Sequence, residues 1–341
     1  MVDIFTGLQP LEIGETDPAL LIERAYQLNA SEAIDRVLVG YSSIWPHNHA
    51  TAPFLAALTD KLSLIVAHRP GVIDPAAAAR YFATLDVLSG GRLAINLVTG
   101  GSDKDLHREG DYLPKSERYA RASEYLDVMK AAWSTTAAFD HNSRYYKAER
   151  IHPLIQPLNK HVPIFMGGES DDAVDFGASH ADLYMLWGEP LDGTAQRIER
   201  VREAATKYSR PIEFSLSLRL FVGDTDEAAW DAARAVENTI LGAQGTTKFL
   251  RSSSTDVSVG RNRQLALTEE ELHDDCFWTG LVKLLGGFAN SAALVGTEDR
   301  ILESLAKYRD LGISAFLITT GAEAAWDPSL ENIARRMKKE L

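Results

Sequence analysis

The stretch that decides the fold is residues 62–98, LSLIVAHRPGVIDPAAAARYFATLDVLSGGRLAINLV. It begins and ends with short apolar runs, at 62–67 and 93–98, in which polar and apolar residues do not alternate. Such runs are typical of strands that are buried on both faces, as in a parallel sheet covered by helices. Between them, residues 75–88 predict a helix, because a proline suits the first turn and a glycine pair follows as a stop signal.

The same unit recurs along the whole chain. Six further apolar runs predict strands at 4–5, 37–40, 162–166, 183–186, 214–222 and 315–318. Amphipathic stretches between the runs predict helices at 18–28, 117–133, 171–179, 195–208, 227–241 and 297–311. Eight strands that alternate with helices predict an α/β fold in the form of a closed (β/α)8 TIM barrel. An open doubly wound sheet is the alternative, although no Gly-x-Gly-x-x-Gly motif follows the first strand.

The barrel is predicted to form one domain over residues 1–341, since α/β barrels routinely exceed the usual domain length of about 150 residues. Two stretches depart from the repeating unit. Residues 134–152, which include Tyr145 and Tyr146, predict a small inserted hairpin. Residues 242–275 are long, polar and rich in glycine, serine and threonine, and they predict a mobile lid loop.

Composition excludes several classes of function. Lys and Arg number 35 against 48 Asp and Glu, and the net charge of −13 argues against a nucleic-acid groove or an anionic membrane as partner. The single cysteine, Cys276, excludes an internal disulfide and lies beside Phe277 and Trp278, which predicts a buried structural thiol. No run reaches the roughly 18 apolar residues of a membrane span, and the first residues do not read as a signal peptide. We therefore expect a cytoplasmic protein.

Candidate functional groups follow the strands, because the active sites of such barrels lie at the carboxyl ends of the strands. After the fifth predicted strand comes Gly167-Gly168-Glu169-Ser170. The glycines let the backbone approach a ligand closely, and the N–H groups of the helix that follows favour an anion such as phosphate. Glu169 would repel a phosphate unless its side chain points away. The alternative is an ordinary turn in which Ser170 or Asp171 caps the helix.

Other strand ends carry less specific signals. His47 and His49 form a pair that can bind zinc, but no third ligand stands at a telling spacing, so we predict no metal site. Trp187 can stack on a flat ring or belong to the core. Arg219 lies in an apolar strand, where an unpaired charge is costly, so it should face the barrel mouth or form a structural ion pair. These residues predict a barrel enzyme with an anion site and leave the reaction open.

Longer motifs add a family resemblance. They stand in order over nearly the whole chain, at 67–70 (AHRP), 77–80 (AAAR), 83–86 (ATLD), 88–92 (LSGGR), 96–100 (NLVTG), 116–119 (SERY), 167–171 (GGESD), 184–190 (YMLWGEP) and 293–296 (ALVG). Together these motifs resemble the bacterial luciferase-like flavin-dependent monooxygenases, and most closely the alkanesulfonate monooxygenase branch.

The resemblance implies a two-component enzyme that uses reduced FMN (FMNH2) and molecular oxygen. A separate NAD(P)H-dependent flavin reductase would supply the reduced flavin, and a peroxyflavin would oxygenate a small organic substrate, with organosulfur compounds among the candidates. The cofactor carries the chemistry in such a family, while the protein supplies orientation and a dry cavity. The family also implies a homodimer or homotetramer. A lid over residues 242–275 fits this chemistry, because water would promote decay of the peroxyflavin.

The resemblance also assigns site residues. The flavin-binding residues that it implies are Ala67, Asn96, Thr99, Tyr119, Gly168, Glu169 and Ser170, of which the last three and Tyr119 would hold the phosphate. Trp187, Arg219 and His49 are the candidates for the catalytic and substrate side, where Arg219 would steady negative charge on the peroxide or product. Glu169 stands where the family usually has a serine.

The sulfonate-binding residues of the alkanesulfonate branch are mostly replaced. That branch has a cysteine at Trp45, arginines at Ser217 and Leu285, a histidine at Arg219 and a tyrosine near Thr320. These replacements predict a less anionic and more apolar substrate than a short alkanesulfonate. Two other functions stay open, namely an F420-dependent oxidoreductase of the same fold and a non-catalytic flavin-binding protein.

Overall fold

The computed structural model describes residues 1–8, 17–242, 258–287, 291–321 and 326–341. Its strands are β1 (Asp3–Leu8), β2 (Arg36–Val39), β3 (Ser63–His68), β4 (Leu93–Leu97), β5 (Phe139–Asn142), β6 (Lys147–Ile151), β7 (Ile164–Met166), β8 (Leu183–Trp187), β9 (Glu213–Val222), β10 (Leu272–His273), β11 (Phe277–Trp278), β12 (Ala293–Gly296) and β13 (Ala315–Thr319). Its helices are α1 (Ala19–Ala30), α2 (Asn48–Leu58), α3 (Pro75–Leu88), α4 (Asp103–His107), α5 (Lys115–Ser134), α6 (Asp171–His180), α7 (Leu191–Thr206), α8 (Asp226–Gly242), α9 (Val259–Ala266), α10 (Gly280–Leu285), α11 (Glu298–Leu311) and α12 (Glu331–Glu340).

Eight parallel strands close into a barrel. Their order around the ring is β1, β2, β3, β4, β7, β8, β9 and β13, and β13 pairs again with β1. Each of these strands corresponds to one of the eight runs predicted from the sequence, so the TIM-barrel prediction is confirmed. The open doubly wound alternative is wrong, because the sheet has no free edge at β1.

Side chains alternate between the barrel interior and the surrounding helices. Phe5, Ile65 and Leu317 pack together inside the barrel, whereas Leu64 and Val66 pack in the larger core between the strands and the helices. Strands covered on both faces have no solvent-facing side, which explains the missing polar alternation in the sequence.

Helix α2 was not predicted, and its sequence explains why. Pro53 lies inside this helix and lacks the N–H that would bond the carbonyl of His49 four residues earlier. The hydroxyl of Tyr81 donates to that carbonyl instead, at 2.8 Å. A tertiary contact therefore stabilises a helix that its local sequence does not indicate.

The two inserted stretches differ in how well they were predicted. Strands β5 and β6 form the antiparallel hairpin predicted within 134–152. Of the predicted lid loop 242–275, residues 243–257 lie outside the described part of the chain. The described part is not an irregular loop, since it contains α9, a 3₁₀ turn at Leu267–Glu269 and strand β10. Its mobility stays a prediction.

Three short strands extend the sheet beyond the barrel. Strand β12 pairs with the upper half of the ten-residue strand β9, and β11 and β10 follow it in antiparallel order. Cys276, just before β11, is 1% exposed, which confirms the predicted buried thiol. Among the helices that the structure describes, none is long and apolar enough to cross a membrane.

Candidate functional site

Four of the predicted site residues lie towards the barrel mouth, at or near the ends of their strands. Ala67 pairs with Asn96 across β3 and β4, and each stands two positions after a residue of the interior core. Trp187 ends β8 on the same face as Leu183. Arg219 is on the face of β9 opposite to the helix-packed leucines of that strand. Because side chains two residues apart share a face, the four residues face the mouth.

The turn formed by residues 167–170 connects β7 to α6. Ser170 is the N-cap of α6, and its hydroxyl accepts a hydrogen bond from the backbone N–H of Ala173 at 3.3 Å. A Cβ on Gly168 would lie 2.5 Å from the Cβ of Ala173 and 3.4 Å from the hydroxyl of Tyr119. Only glycine fits this position. The turn therefore presents main chain to the mouth at the amino end of a ten-residue helix, where N–H groups favour an anion.

Tyr119 joins this turn to the loop after β4. Its hydroxyl is hydrogen-bonded to the side chains of Thr99 and Ser170. Burial raises the pKa of Tyr119 above its ordinary value, so the hydroxyl stays protonated at neutral pH. The structure thus brings together Thr99, Tyr119 and Ser170, and the flavin-binding roles that the resemblance gives them stay predictions.

The carboxylate of Glu169 points away from the turn, into an ion pair with Arg197 on α7. Arg197 also donates to the carbonyl of Gly168 at 3.1 Å, and the hydroxyl of Tyr184 donates to the same oxygen at 2.8 Å. The charge of Glu169 is therefore neutralised by an arginine. This arrangement removes the repulsion that a glutamate in the turn would exert on a phosphate.

A charge network centred on a buried carboxylate connects this turn to α9. Glu189 is 1% exposed, and its two carboxylate oxygens share the Nε–H of Arg263 on α9, at 2.7 and 2.8 Å. Arg197 reaches the same carboxylate at 3.5 Å. Burial lowers the pKa of Arg197 to about 9, which leaves it charged at neutral pH. We call Glu169, Glu189, Arg197 and Arg263 the Glu189 network.

Helix α9 lies over the mouth in this structure. Gln264 donates to the carbonyl of Gly188 at 2.9 Å. A Cβ on Gly260 would lie 2.7 Å from Cγ of Glu169 and 3.3 Å from the ring of Trp187, so this helix approaches both residues closely. Sequence reasoning missed Arg263 and Glu189, which are separated by 74 residues. The only local sequence signal for this network was Arg197, which lies in the helix predicted after β8.

Arg219 is 3% exposed, and its guanidinium donates to the carbonyl of Gly321. Burial lowers the pKa of Arg219 to about 10, so the side chain keeps its charge at neutral pH. The predicted mouth-facing position is consistent with this geometry. The bond to Gly321 is with a backbone oxygen, and the alternative of a structural pair with Asp or Glu stays a prediction.

His49 does not lie at a strand end, in contrast to its predicted place. It belongs to the first turn of α2 and contacts His68, whose side chain is on the helix-facing side of β3. Nε2 of His49 lies 3.1 Å from Nδ1 of His68, and Nε2 of His68 lies 2.6 Å from the hydroxyl of Tyr125. This buried row of hydrogen-bonded side chains lies on the helix-facing side of β3, behind the wall of the mouth. Within the described ranges no three His, Cys, Asp or Glu side chains are placed to hold a metal.

These histidines predict an acid-sensitive fold. Burial lowers the pKa of His49 from its ordinary 6.5 to about 4. The unfolded chain therefore binds a proton at this side chain between about pH 6.5 and 4 while the folded chain does not. The free energy of unfolding should fall by about 3 kcal/mol over this range from His49 alone. Urea unfolding at pH 7.5, 6 and 5 measures this slope, and His49→Gln should make it shallower. Equal slopes in the two proteins would contradict the assignment.

Comparison with known proteins identifies the family to which this chain belongs. Residues 17–315 match the family described as luciferase-like monooxygenase. The oxygenating constituent of 3,6-diketocamphane monooxygenase from Pseudomonas putida, a type II Baeyer–Villiger monooxygenase in complex with FMN, is 18% identical, with coverage of 100% of this chain and 99% of that one and a TM-score of 0.75.

Two further solved structures are similar to this chain. EDTA monooxygenase from Chelativorans sp. BNC1 is 16% identical, over 98% of this chain and 92% of that one, with a TM-score of 0.75. An F420-dependent secondary alcohol dehydrogenase is also 16% identical, over 99% and 97%, with a TM-score of 0.70. At these identities the likeness shows the shared fold alone. The family match covers most of the chain, and the chain therefore belongs to the luciferase-like monooxygenase family.

Proposed function

We propose that the protein is the oxygenase of a two-component system, in which reduced FMN and O2 are used to add one oxygen atom to a small organic substrate. The observation that carries this proposal is the 167–170 turn, which offers backbone at the amino end of α6 while Glu169 is paired with Arg197. A monophosphate fits such a turn, because the N–H groups face it and the nearby carboxylate is neutralised.

In this proposal Gly168, Ser170 and Tyr119 hold the phosphate, and Thr99 and Asn96 lie beside the ring system. Ala67 contributes its backbone, and its carbonyl is held by the side-chain amide of Asn48. When bound, the reduced flavin supplies two electrons to O2, so that one oxygen atom enters the substrate and the other leaves as water.

The protein's own part is to orient and to exclude water. Helix α9 covers Trp187 and the turn, and the Glu189 network holds it there. Exclusion of water strengthens the electrostatic interactions of the site and protects reactive species. Trp187 and Arg219 form the substrate side of the mouth, and Arg219 offers a charged donor to a developing anion. His49, behind β3, supports this wall through His68.

We propose a separate NAD(P)H-dependent flavin reductase as the partner that supplies reduced FMN. The solved structure from Pseudomonas putida, named an oxygenating constituent, supports such a division. We also propose that the protein forms a homodimer or homotetramer and that it is cytoplasmic. On the motifs given above we further propose kinship with the alkanesulfonate branch, although the sulfonate-binding residues of that branch are mostly replaced here.

Oxygen uptake with photoreduced FMN tests the proposal. The protein is mixed with photoreduced FMN, O2 and a panel of small organic compounds, and mass spectrometry detects products with one added oxygen atom. We expect O2 consumption coupled to such a product, with sulfite release followed in parallel to detect carbon–sulfur cleavage. Saturable FMN binding without any product would instead favour a non-catalytic flavin-binding protein.

An F420-dependent oxidoreductase is the second candidate, because a solved F420-dependent alcohol dehydrogenase shares this fold. Hydride transfer is followed anaerobically by the absorbance of F420 with a panel of alcohols. Turnover there, together with no FMN-dependent oxygenation, would replace our proposal with this one.

A further inference from the structure

Trp45 covers one side of the barrel mouth. Along β2, Leu38 packs against the interior core, and the next position on that face is Gly40, just after the strand. A Cβ on Gly40 would lie 3.1 Å from Cζ3 of Trp45. The indole therefore occupies the space into which a side chain at position 40 would project. It is 48% exposed, so about half of its surface is open to solvent.

Trp187 stands on the opposite side. It ends β8, and its ring contacts the position of α9 at which Gly260 stands. In the eight-stranded ring, β2 and β8 are separated by three strands in either direction, so they lie across the barrel from each other. The mouth is thus lined by two indole rings, from opposite walls.

The guanidinium groups near Trp45 and Trp187 are engaged by the protein, and that of Arg219 donates to the carbonyl of Gly321. Arg69, which follows β3, forms an ion pair with Glu109 and lies 5.2 Å from the ring of Tyr41. Tyr41 donates to the same carboxylate at 2.5 Å. The arginines of the Glu189 network are likewise paired with carboxylates. An anionic substrate would have to compete with these carboxylates, at the cost of leaving a buried charge unpaired.

We propose that the mouth selects a flat, uncharged ring compound, and that Trp45 is the residue that determines this specificity. The inference rests on the proposed function, since the flavin would share the same mouth. An indole face binds a planar ring through offset stacking and apolar burial, and it offers no counter-charge to a sulfonate. A cysteine or other small residue at position 45 would leave this side of the mouth open.

Four probe compounds distinguish binding of a planar ring from binding of a linear alkyl chain, and binding of a neutral compound from binding of an anion. We would use indole, naphthalene-2-sulfonate, 1-octanol and 1-octanesulfonate, and measure their dissociation constants by calorimetry on the protein saturated with oxidised FMN. Indole is expected to bind about tenfold more tightly than 1-octanol and either sulfonate. Trp45→Ala should weaken indole about tenfold, while Trp45→Phe should retain most of the affinity.

The control is Tyr26→Ala, which removes an aromatic side chain that is 53% exposed on α1 and should leave all four affinities unchanged. FMN affinity is measured first for every variant. Trp45 follows β2, which two strands separate around the ring from β7 and its 167–170 turn, so its replacement should not alter this affinity. Tightest binding of 1-octanesulfonate, no binding of indole, or indole affinity unaffected by Trp45→Ala would overturn the inference. If FMN itself does not bind, the proposed function fails, and the four probes still test the ring selectivity on the protein alone.

Discussion

Replacing Arg197 with methionine is expected to lower the free energy of unfolding by about 3–5 kcal/mol, because the carboxylate of Glu169 loses its buried partner. Glu189 also loses one of its two guanidinium contacts. The carbonyl of Gly168 loses a donor in the same change. FMN affinity should fall as well, since the released Glu169 carboxylate repels the phosphate. Urea unfolding and fluorescence titration with FMN measure the two effects.

Arg200→Met is the matched control. Arg200 lies on the same helix and donates to the carbonyl of Glu169, but it is 44% exposed and its ion-pair partner Asp171 is fully exposed. Exposed pairs contribute about 1 kcal/mol or less, so this variant should stay close to the wild type. Adding Glu169→Gln to Arg197→Met should restore part of the stability. A loss below about 1 kcal/mol for Arg197→Met would show that the network is not held by this arginine.

Gly168→Ala is expected to raise the dissociation constant for FMN roughly tenfold to a hundredfold. The new methyl group would stand 2.5 Å from the Cβ of Ala173, which is carried by a rigid helix and cannot rotate away. Overpacking of this kind costs about 1–3 kcal/mol, and the turn can relieve it only by moving. A displaced turn no longer presents its N–H groups to a phosphate in the same geometry.

Gly101, in the loop after β4, provides the control for Gly168→Ala. A Cβ on Gly101 would meet no atom within 4 Å, so Gly101→Ala should leave both stability and FMN affinity unchanged. The two alanine variants are titrated with FMN under identical conditions. If both retain the wild-type affinity, the phosphate does not bind at the 167–170 turn.

The barrel was predictable because the local sequence of each of its strands indicates a strand. Each of the eight runs is mostly apolar, and the predicted helix at 75–88 agrees with the observed α3 at both ends. There Pro75 is in the first turn, and the side chain of Asp74 caps the backbone N–H of Ala76 at 3.0 Å. Strand β12 was missed as a strand, since its residues appeared only within a family motif. It forms along the last four residues of the long strand β9, 219–222, with which it pairs in parallel.

The candidate site was predictable only in part. Glycine, serine and the following helix indicate an anion-binding turn from the sequence alone. The partner of Glu169 could not be found that way, because Arg197 becomes its neighbour only when α7 packs against α6. The position of His49 was wrong for a related reason, since α2 begins before it and carries it behind β3.

The buried state of Cys276 has a practical consequence for observing α9. Its thiol is the chain's one native cysteine, and burial raises its pKa, so little reactive thiolate is present at neutral pH. A cysteine introduced at Val259, which is 48% exposed at the start of α9, would then be the preferred target of a maleimide dye or nitroxide. Spectroscopy on that single label would follow the helix with and without ligand, and the native protein needs no prior cysteine removal.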